Sequence, residues 1–437
     1  VSPVGVEGWA LDAYRSMAAQ LAPIGRALSG GYRRLVWSDA DLELRAWFEA
    51  SAARLGLEFE ADGNGNLWAT WHPELAGPAL VIGSHLDSVP DGGALDGPLG
   101  VISSLAAVSH LAAAGFVPTK PVTVAAFSDE EGGRFGIACA GSRLLTGALD
   151  PDAARALVDR DGISQQDAMA RAGHDVSRLG PDHLRLAKIG AYVELHVEQG
   201  HFPFARPADA RGDDGAPAHG LASAGRTLGV GTEIWPHGRW RIDIQGTPNH
   251  AGATRMQDRD DPLVPAARAV LAVDEAARRH DALGTVGRLN VVPGAVNAIA
   301  ASTQLWIDAR GADLERVEKV IADVEAASGQ TAVQESWTAS THFDEALTAR
   351  VAGAIAPFVD GDVPWLPCGA GHDAGVLSLA GVPTAMIFVR NPTGVSHAPN
   401  EAADEADCAI GIQALAEVVR ELAGAAITGS GLAGPAS

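Results

Sequence analysis

The chain is short of the residues that would place it in several large functional classes. It has three cysteines in 437 residues, Cys139, Cys368 and Cys408, far apart and in no CxxC pattern. Neither a disulfide framework nor a cysteine zinc site is readable, so any metal must rest on His, Asp and Glu. Basic residues are also few: 32 Lys and Arg stand against 54 Asp and Glu, a formal net charge of −22. Nucleic acid and anionic membrane both attract clustered Lys and Arg, so neither is an expected partner. No apolar run reaches the ~20 residues of a membrane span; "GVISSLAAVSHLAAAGF" is broken by serine, histidine and glycine. No basic, apolar leader opens the sequence, and a cytoplasmic enzyme is expected. There is no repeat period, and "ITGSGLAGPAS" reads as a mobile end.

What the chain does have is a large apolar fraction, 47%, enough for more than one core, because single cores stop growing near ~250–300 residues. "SDADLELRAWFEASAARLG" reads as a helix with Ser38 as N-cap, Asp41 three residues on and Gly56 as its stop. "LEFEADGNGNLWATW" reads as a hairpin around an Asp/Asn/Gly turn. "PALVIGSHLDSV", "PVTVAAFSDEEGG" and "AYVELHVEQG" read as buried strands that run into acidic or histidine-bearing loops, with a helix over "LGVISSLAAVSHLAAAG". In open α/β sheets, that carboxyl edge is where ligands bind.

The texture changes near residue 228. "GRWRIDIQG", "DPLVPAARAVLAVDEAARRH", "GTVGRLNVV", "STQLWIDAR", "ADLERVEKVIADVEAAS" and "TAVQESW" follow in the order β, α, β, β, α, β, the pattern of a ferredoxin-like α+β unit. The first pattern then resumes through "PWLPCGAGHDAGVLSLAG", "PTAMIFV", "RNPTGVSHAPNE" and a closing helix. The expected architecture is an α/β fold with a discontinuous catalytic domain, residues 1–227 and 342–437, a mixed sheet flanked by helices, and an inserted domain at 228–341.

Candidate metal ligands gather at the strand ends: His85, Asp87, Asp96, Glu130, Glu131, His196 and His397. All are types that bind borderline or hard divalent cations. The stretch "GGALDGPLG" lacks the lysine and Ser/Thr of a phosphate-binding P-loop, and its acidity would repel phosphate.

The motifs "GSHLDSVPDGGALDGPLGV", "FSDEEGGRFG", "ELHVEQG", "NHAGATRM" with "DRDDP", "GAVNAIA", "GAGHDA" and "GVSHAPNE" together resemble the N-carbamoyl-L-amino-acid hydrolase and allantoate amidohydrolase family. That family belongs to the two-metal aminopeptidase/amidohydrolase superfamily, and the match runs from about 33 to 425. The resemblance implies hydrolysis of a C–N bond by a hydroxide held between two divalent cations, zinc or else manganese, cobalt or nickel. His85 and His196 would hold one cation, Glu131 and His397 the other, and Asp96 both. Asp87 would orient the His85 imidazole, and Glu130 would be the general base. His250 would stabilise the oxyanion from the partner subunit's side, making the insert a lid and dimerisation domain and the enzyme a homodimer. Asn297 and Arg310 would clamp a substrate carboxylate, Gln199 would read the carbamoyl amide, and His372 would support the substrate.

One stretch departs from the family pattern: "HFPFARPADARGDDGAPAHGLASAGRT" follows "EQG" where the insert is expected sooner. It reads as an excursion near the mouth of the site, with His201 and His219 solvated rather than ligating. The aromatics of "EIWPHGRW" read as core or interface, and Asp91 as a turn residue. Two other readings stay open, a peptidase or N-acyl-amino-acid deacylase using the same metals, and a non-catalytic ligand-binding protein that has kept the fold.

Overall fold

The computed structural model describes residues 5–204 and 219–424. Two compact units emerge, one from Val1–Thr232 with Phe343–Ser437 and one from Glu233–His342.

The larger unit is built on a mixed sheet whose neighbours run Glu58–Ala61, Leu67–Trp71, Val122–Phe127, Ala79–His85, Ile189–Val197, Thr384–Val389 and Leu228–Ile234. The four central strands, from Val122–Phe127 to Thr384–Val389, pair in parallel, and their carboxyl ends share one edge. Strands covered on both faces cannot alternate polar with apolar residues. Accordingly Ala79–His85, Val122–Phe127 and Thr384–Val389 are buried throughout. The helix Pro98–Ala113, apolar on nearly every side, is buried over most of its length and packs with Glu405–Ala423. The hairpin Glu58–Ala61 with Leu67–Trp71 forms as expected, and Ser38 accepts the amide of Asp41 at 3.4 Å to cap Asp39–Arg54, a cap worth ~1 kcal/mol.

Two features escaped the sequence reading. The helix Gly8–Leu21 packs on Glu405–Ala423, and Trp9 stacks on His110 with ring centroids 3.7 Å apart. Short helices at Pro151–Ala156 and Gln165–Arg171, with Asp150 and Ser164 as N-caps, contribute Ala154, Ala168 and Met169 to a small satellite core that includes Val36, Phe135 and Leu144.

The smaller unit pairs its strands in the order Val333–Thr338, His237–Gln245, Ser302–Gly311, Ala282–Val292, all antiparallel. Its helices Leu263–Arg279 and Leu314–Ser328 pack on each other, and their apolar faces meet Ile242, Ile244, Leu305 and Ile307 in one core. Trp235 and Trp240 are buried. The boundary differs from the expected 228: the strand Leu228–Ile234 belongs mainly to the large sheet, where Leu228, Gly229 and Val230 pair antiparallel with Val389, Phe388 and Ile387. The change of texture marks the start of amphipathic patterning, and this apolar strand precedes it. The chain leaves the large unit at Thr232 and returns at Phe343, whose amide donates to the Thr232 carbonyl at 3.0 Å. No described helix is long and apolar enough to cross a membrane.

Candidate active site

The parallel strands deliver their polar residues to one edge of the larger unit. His85 ends its strand, and Glu130 and Glu131 follow Phe127 in the loop after the next. His196 is the penultimate residue of Ile189–Val197, and His397 lies in the loop beyond Val389. Asp96 comes back to His85 because the intervening loop folds onto the imidazole. Gly97 has φ +84°, and a Cβ there would lie 2.4–2.6 Å from three His85 ring atoms, so only glycine fits both the backbone and the space.

Asp96 is the centre of the cluster. Its Oδ1 lies 3.4 Å from His85 Nε2 and 3.2 Å from His196 Nε2. Its Oδ2 lies 3.3 Å from His397 Nε2, which is 3.2 Å from Glu131 Oε2. Two donor groups result, His85–Asp96–His196 and Asp96–Glu131–His397, each with its ligand atoms within 4.8 Å of one another. The histidine tautomers follow from their other nitrogens: His85 Nδ1 lies 3.2 Å from the Asp87 carbonyl oxygen and His196 Nδ1 2.9 Å from that of Val197. With the proton on Nδ1, each Nε2 can offer a lone pair to a cation; against the effect of burial, the carboxylates around His85 and His196 otherwise favour a second proton there. Both Nε2 atoms are buried without a hydrogen-bond partner, and both face a carboxylate. Such an arrangement of acceptors is costly unless a cation lies among them, so the residues fit a pair of divalent ions. A third group, Glu194–His196–His372, shares His196, and Glu194 already accepts from Ser84 at 2.7 Å and from the Ala374 amide at 3.2 Å.

Asp87 faces His85 Nδ1 both with its main-chain oxygen at 3.2 Å and with its carboxylate Oδ1 at 3.6 Å. The carboxylate also reaches the next loop, accepting the amides of Glu130 at 3.2 Å and Glu131 at 3.1 Å. The adjacent glutamates thus diverge. Glu131 reaches His397, whereas Glu130 points inward, with Oε2 3.8 Å from His85 Nε2 and Oε1 3.5 Å from Cys139 Sγ. Burial pushes the Glu130 carboxyl well above the usual carboxylate range; His85 opposes the shift, and Asp373, Glu131 and Asp87 add to it. A carboxyl raised in this way suits proton transfer near neutral pH. For His397 burial works against the proton, but hydrogen bonds and charge from Asp96 and Glu131 win and push it up to about 11.

Gln199 and His372 also line this region. The Gln199 amide donates to Asp96 Oδ2 at 2.7 Å and to Ser396 Oγ at 3.1 Å, while its own oxygen is buried and unpartnered. His372 is buried, with Nε2 3.4 Å from Cys368 Sγ and its ring centroid 4.6 Å from that of His196. Burial holds its pKa well below the ordinary value, and the neighbouring His196 adds to this, so it is neutral. His201 is exposed, with Nε2 3.3 Å from the Asn391 carbonyl, and His219 is exposed; neither is in a donor group among the described residues. Residues 205–218 of the expected excursion lie outside the described residues. Asp91 takes φ +62° in its turn and pairs with Arg33 at 2.8 Å.

His250, Asn297 and Arg310 all belong to the smaller unit. There a two-stranded ribbon pairs His250 with Ala298, and the Ala251 amide donates to the Asn297 carbonyl at 3.0 Å, so His250 and Asn297 lie together. Arg310 does not join them. It stands near the far end of Ser302–Gly311, and at ~3.3 Å per residue the strand from Ser302 to Arg310 spans about 26 Å. Within one chain, most of the strand Ser302–Gly311 lies between Asn297 and Arg310. Arg310 is engaged by Asp308 through two hydrogen bonds, of 2.7 and 3.0 Å.

Several residues of this region were not singled out from sequence: Glu401, Ser396, Glu194, Asp373 and Cys139. Glu401 and Ser396 stand within "GVSHAPNE", but their partners, the Leu95 and Asp96 amides for Glu401 and the Asp96 carboxylate for Ser396, lie far away in sequence and leave no spacing signal.

The match to peptidase family M20/M25/M40 covers residues 81–421. The chain belongs to this family. Among curated M20 relatives, the N-carbamoyl-L-amino acid amidohydrolase of Geobacillus stearothermophilus is 34% identical, the alignment covering 92% of this chain and 96% of that protein. The allantoate amidohydrolase of Bacillus subtilis is 30% identical over 92% of this chain and 95% of its own. A solved structure of AtUAH in complex with (S)-hydroxyglycine superposes with a TM-score of 0.82 at 27% identity, covering 96% of this chain and 99% of that one. The M20 relatives thus agree with the motif resemblance in both family and fold.

Proposed function

We propose that this M20 protein is a metal-dependent amidohydrolase that cleaves the C–N bond of an N-carbamoyl or ureido amino acid, releasing the free amine, ammonia and carbon dioxide. The observation that carries the reading is the division of Asp96 between two histidine-bearing donor groups whose buried His85 and His196 nitrogens have no other partner. His85, Asp96 and His196 would hold one divalent cation, and Asp96, Glu131 and His397 a second. Borderline donors of this kind accept zinc, manganese, cobalt or nickel. When bound, such ions polarise a carbonyl and acidify water.

The chain's own residues do the rest. Glu130 takes a proton from water and returns it to the departing nitrogen. The unpartnered Gln199 oxygen accepts from the terminal NH2 of a ureido group, a donor that N-acyl and peptide substrates lack. Arg310 binds the substrate carboxylate, drawn from its pairing with Asp308. His250 and Asn297, lying apart from Arg310 along the strand, serve the partner subunit's site in a homodimer formed through Glu233–His342, with His250 donating to the carbonyl oxygen.

The test is an assay of the purified protein, with added zinc, manganese or nickel, on N-carbamoyl-L-amino acids, N-carbamoyl-β-alanine, allantoate, N-formyl and N-acyl amino acids and dipeptides. Ammonia release from a ureido substrate, abolished by chelation, is expected. Turnover of N-acyl amino acids or dipeptides alone would replace the proposal with a deacylase or peptidase, and no turnover of any would favour a binding protein.

A further inference from the structure

Glu401 has no part in the chemistry above, yet both donor-bearing loops are fastened to it. Its side chain is buried, and Oε1 accepts the main-chain amides of Leu95 at 2.8 Å and Asp96 at 3.0 Å. Its Oε2 lies 3.2 Å from the hydroxyl of Ser396, which also lies 2.9 Å from Asp96 Oδ2. The loop leading to Asp96 presses so close that a Cβ on Gly93 would stand 2.4 Å from Glu401 Cδ. One carboxylate therefore holds the backbone of Asp96 from one strand end and, through Ser396, the residue next to His397 from another.

We propose that Glu401 is a positioning residue that joins the Asp96 loop to the His397 loop, so that the donors of the Asp96–Glu131–His397 group are held at one spacing. The inference rests on the two-cation reading. An anion suits the task, because Oε1 accepts two main-chain amides in charge-assisted bonds, and the single Ser396 proton is shared between Glu401 Oε2 and Asp96 Oδ2. The loop from Val389 to His397 holds no helix or strand, so His397, half exposed, depends on such ties for its place. The group most affected by loss of Glu401 is the one containing His397, because His85 and His196 are fixed in or at the end of sheet strands.

The experiment titrates Zn2+ into the metal-free full-length protein against a chromophoric chelator, for wild type, Glu401→Ala, Glu401→Gln and Ser396→Ala. Glu401→Ala lowers affinity for the second Zn2+ equivalent by about 10- to 100-fold, the usual cost of losing a residue that holds a ligand, with a smaller loss for the first. Glu401→Gln, which keeps an acceptor for the two amides, recovers most of it, and Ser396→Ala falls between. The melting temperature of the metal-free protein stays at the wild-type value in Glu401→Gln and Ser396→Ala and falls in Glu401→Ala, where two buried amides lose their acceptor. Two equivalents bound with wild-type affinity in Glu401→Ala would overturn the proposal. So would equal losses in all three variants that follow a drop in metal-free stability. If Glu401→Ala fails to fold, Ser396→Ala decides on the same criterion. No substrate is involved: wild type that takes up two Zn2+ but releases no ammonia removes the proposed activity and leaves Glu401's role standing.

Discussion

Gln199 donates its side-chain amide to Asp96 Oδ2 at 2.7 Å, the same oxygen that His397 approaches at 3.3 Å. The residue expected to recognise substrate is thus anchored to the residue expected to share the cations. Replacing Gln199 by Ala should cut kcat/KM for a ureido substrate by about 10- to 100-fold, the effect of losing one or two buried hydrogen bonds, with most of the change in KM. Its Zn2+ affinity should change far less. An unaltered KM would remove Gln199 from substrate recognition.

Glu130→Gln is isosteric and removes only the group that can carry a proton. Activity should fall by about 10²–10⁴-fold, the range of general acid–base catalysis, while Zn2+ stoichiometry stays at the wild-type value. Full activity in this variant would exclude Glu130 as the base.

Metal uptake should release protons. Without a cation, Asp96 and Glu131 hold a proton on His397, whose pKa is pushed up to about 11. At pH 7 that proton must leave before the nitrogen can bind metal. The sign follows: Zn2+ affinity rises with pH through the neutral range, and the calorimetric heat depends on the ionisation enthalpy of the buffer. Identical heats in buffers of high and low ionisation enthalpy would contradict it.

Gly97→Ala should damage the site more than a surface exchange of the same size. The added methyl meets the His85 ring at 2.4–2.6 Å, and φ +84° is unfavourable for alanine, costing ~1–2 kcal/mol before any clash. Loss of Zn2+ binding alongside a lowered melting temperature is expected; wild-type values for both would show that the loop can move away from His85.

Arg310→Leu should raise KM for a carboxylate-bearing substrate with a smaller change in kcat. It also leaves Asp308 without the guanidinium that, against the effect of burial, keeps its carboxyl below the usual range. An unchanged KM would take Arg310 out of the carboxylate site.

The fold was legible wherever a strand was apolar and ended in a polar loop: "ALVIGSH" and "VTVAAF" are strands because their side chains have no wet face to alternate toward. The donors were legible for a related reason, since His85, Glu131 and His196 stand at or near the points where apolar runs stop. The same reasoning was blind to Glu401, whose partners are main-chain amides some three hundred residues away in sequence. The helix Gly8–Leu21 was missed although Ala10, Tyr14 and Leu21 lie on its buried side, because its buried face is narrow and the residues around it are mixed.

Because the Phe343 amide and the Thr232 carbonyl are hydrogen-bonded at 3.0 Å, the large unit meets the insertion as it would meet the turn of a hairpin. Both ends are pinned to adjacent positions, and the entropic cost of closing a loop grows only with the logarithm of its length. The folding of the large sheet is thereby largely indifferent to what lies between these two residues. The smaller unit can lengthen, shorten or be exchanged for another with little cost to the frame that presents His85, Asp96 and Glu130, and assembly and reach can change without re-solving the packing of the donor-bearing strands.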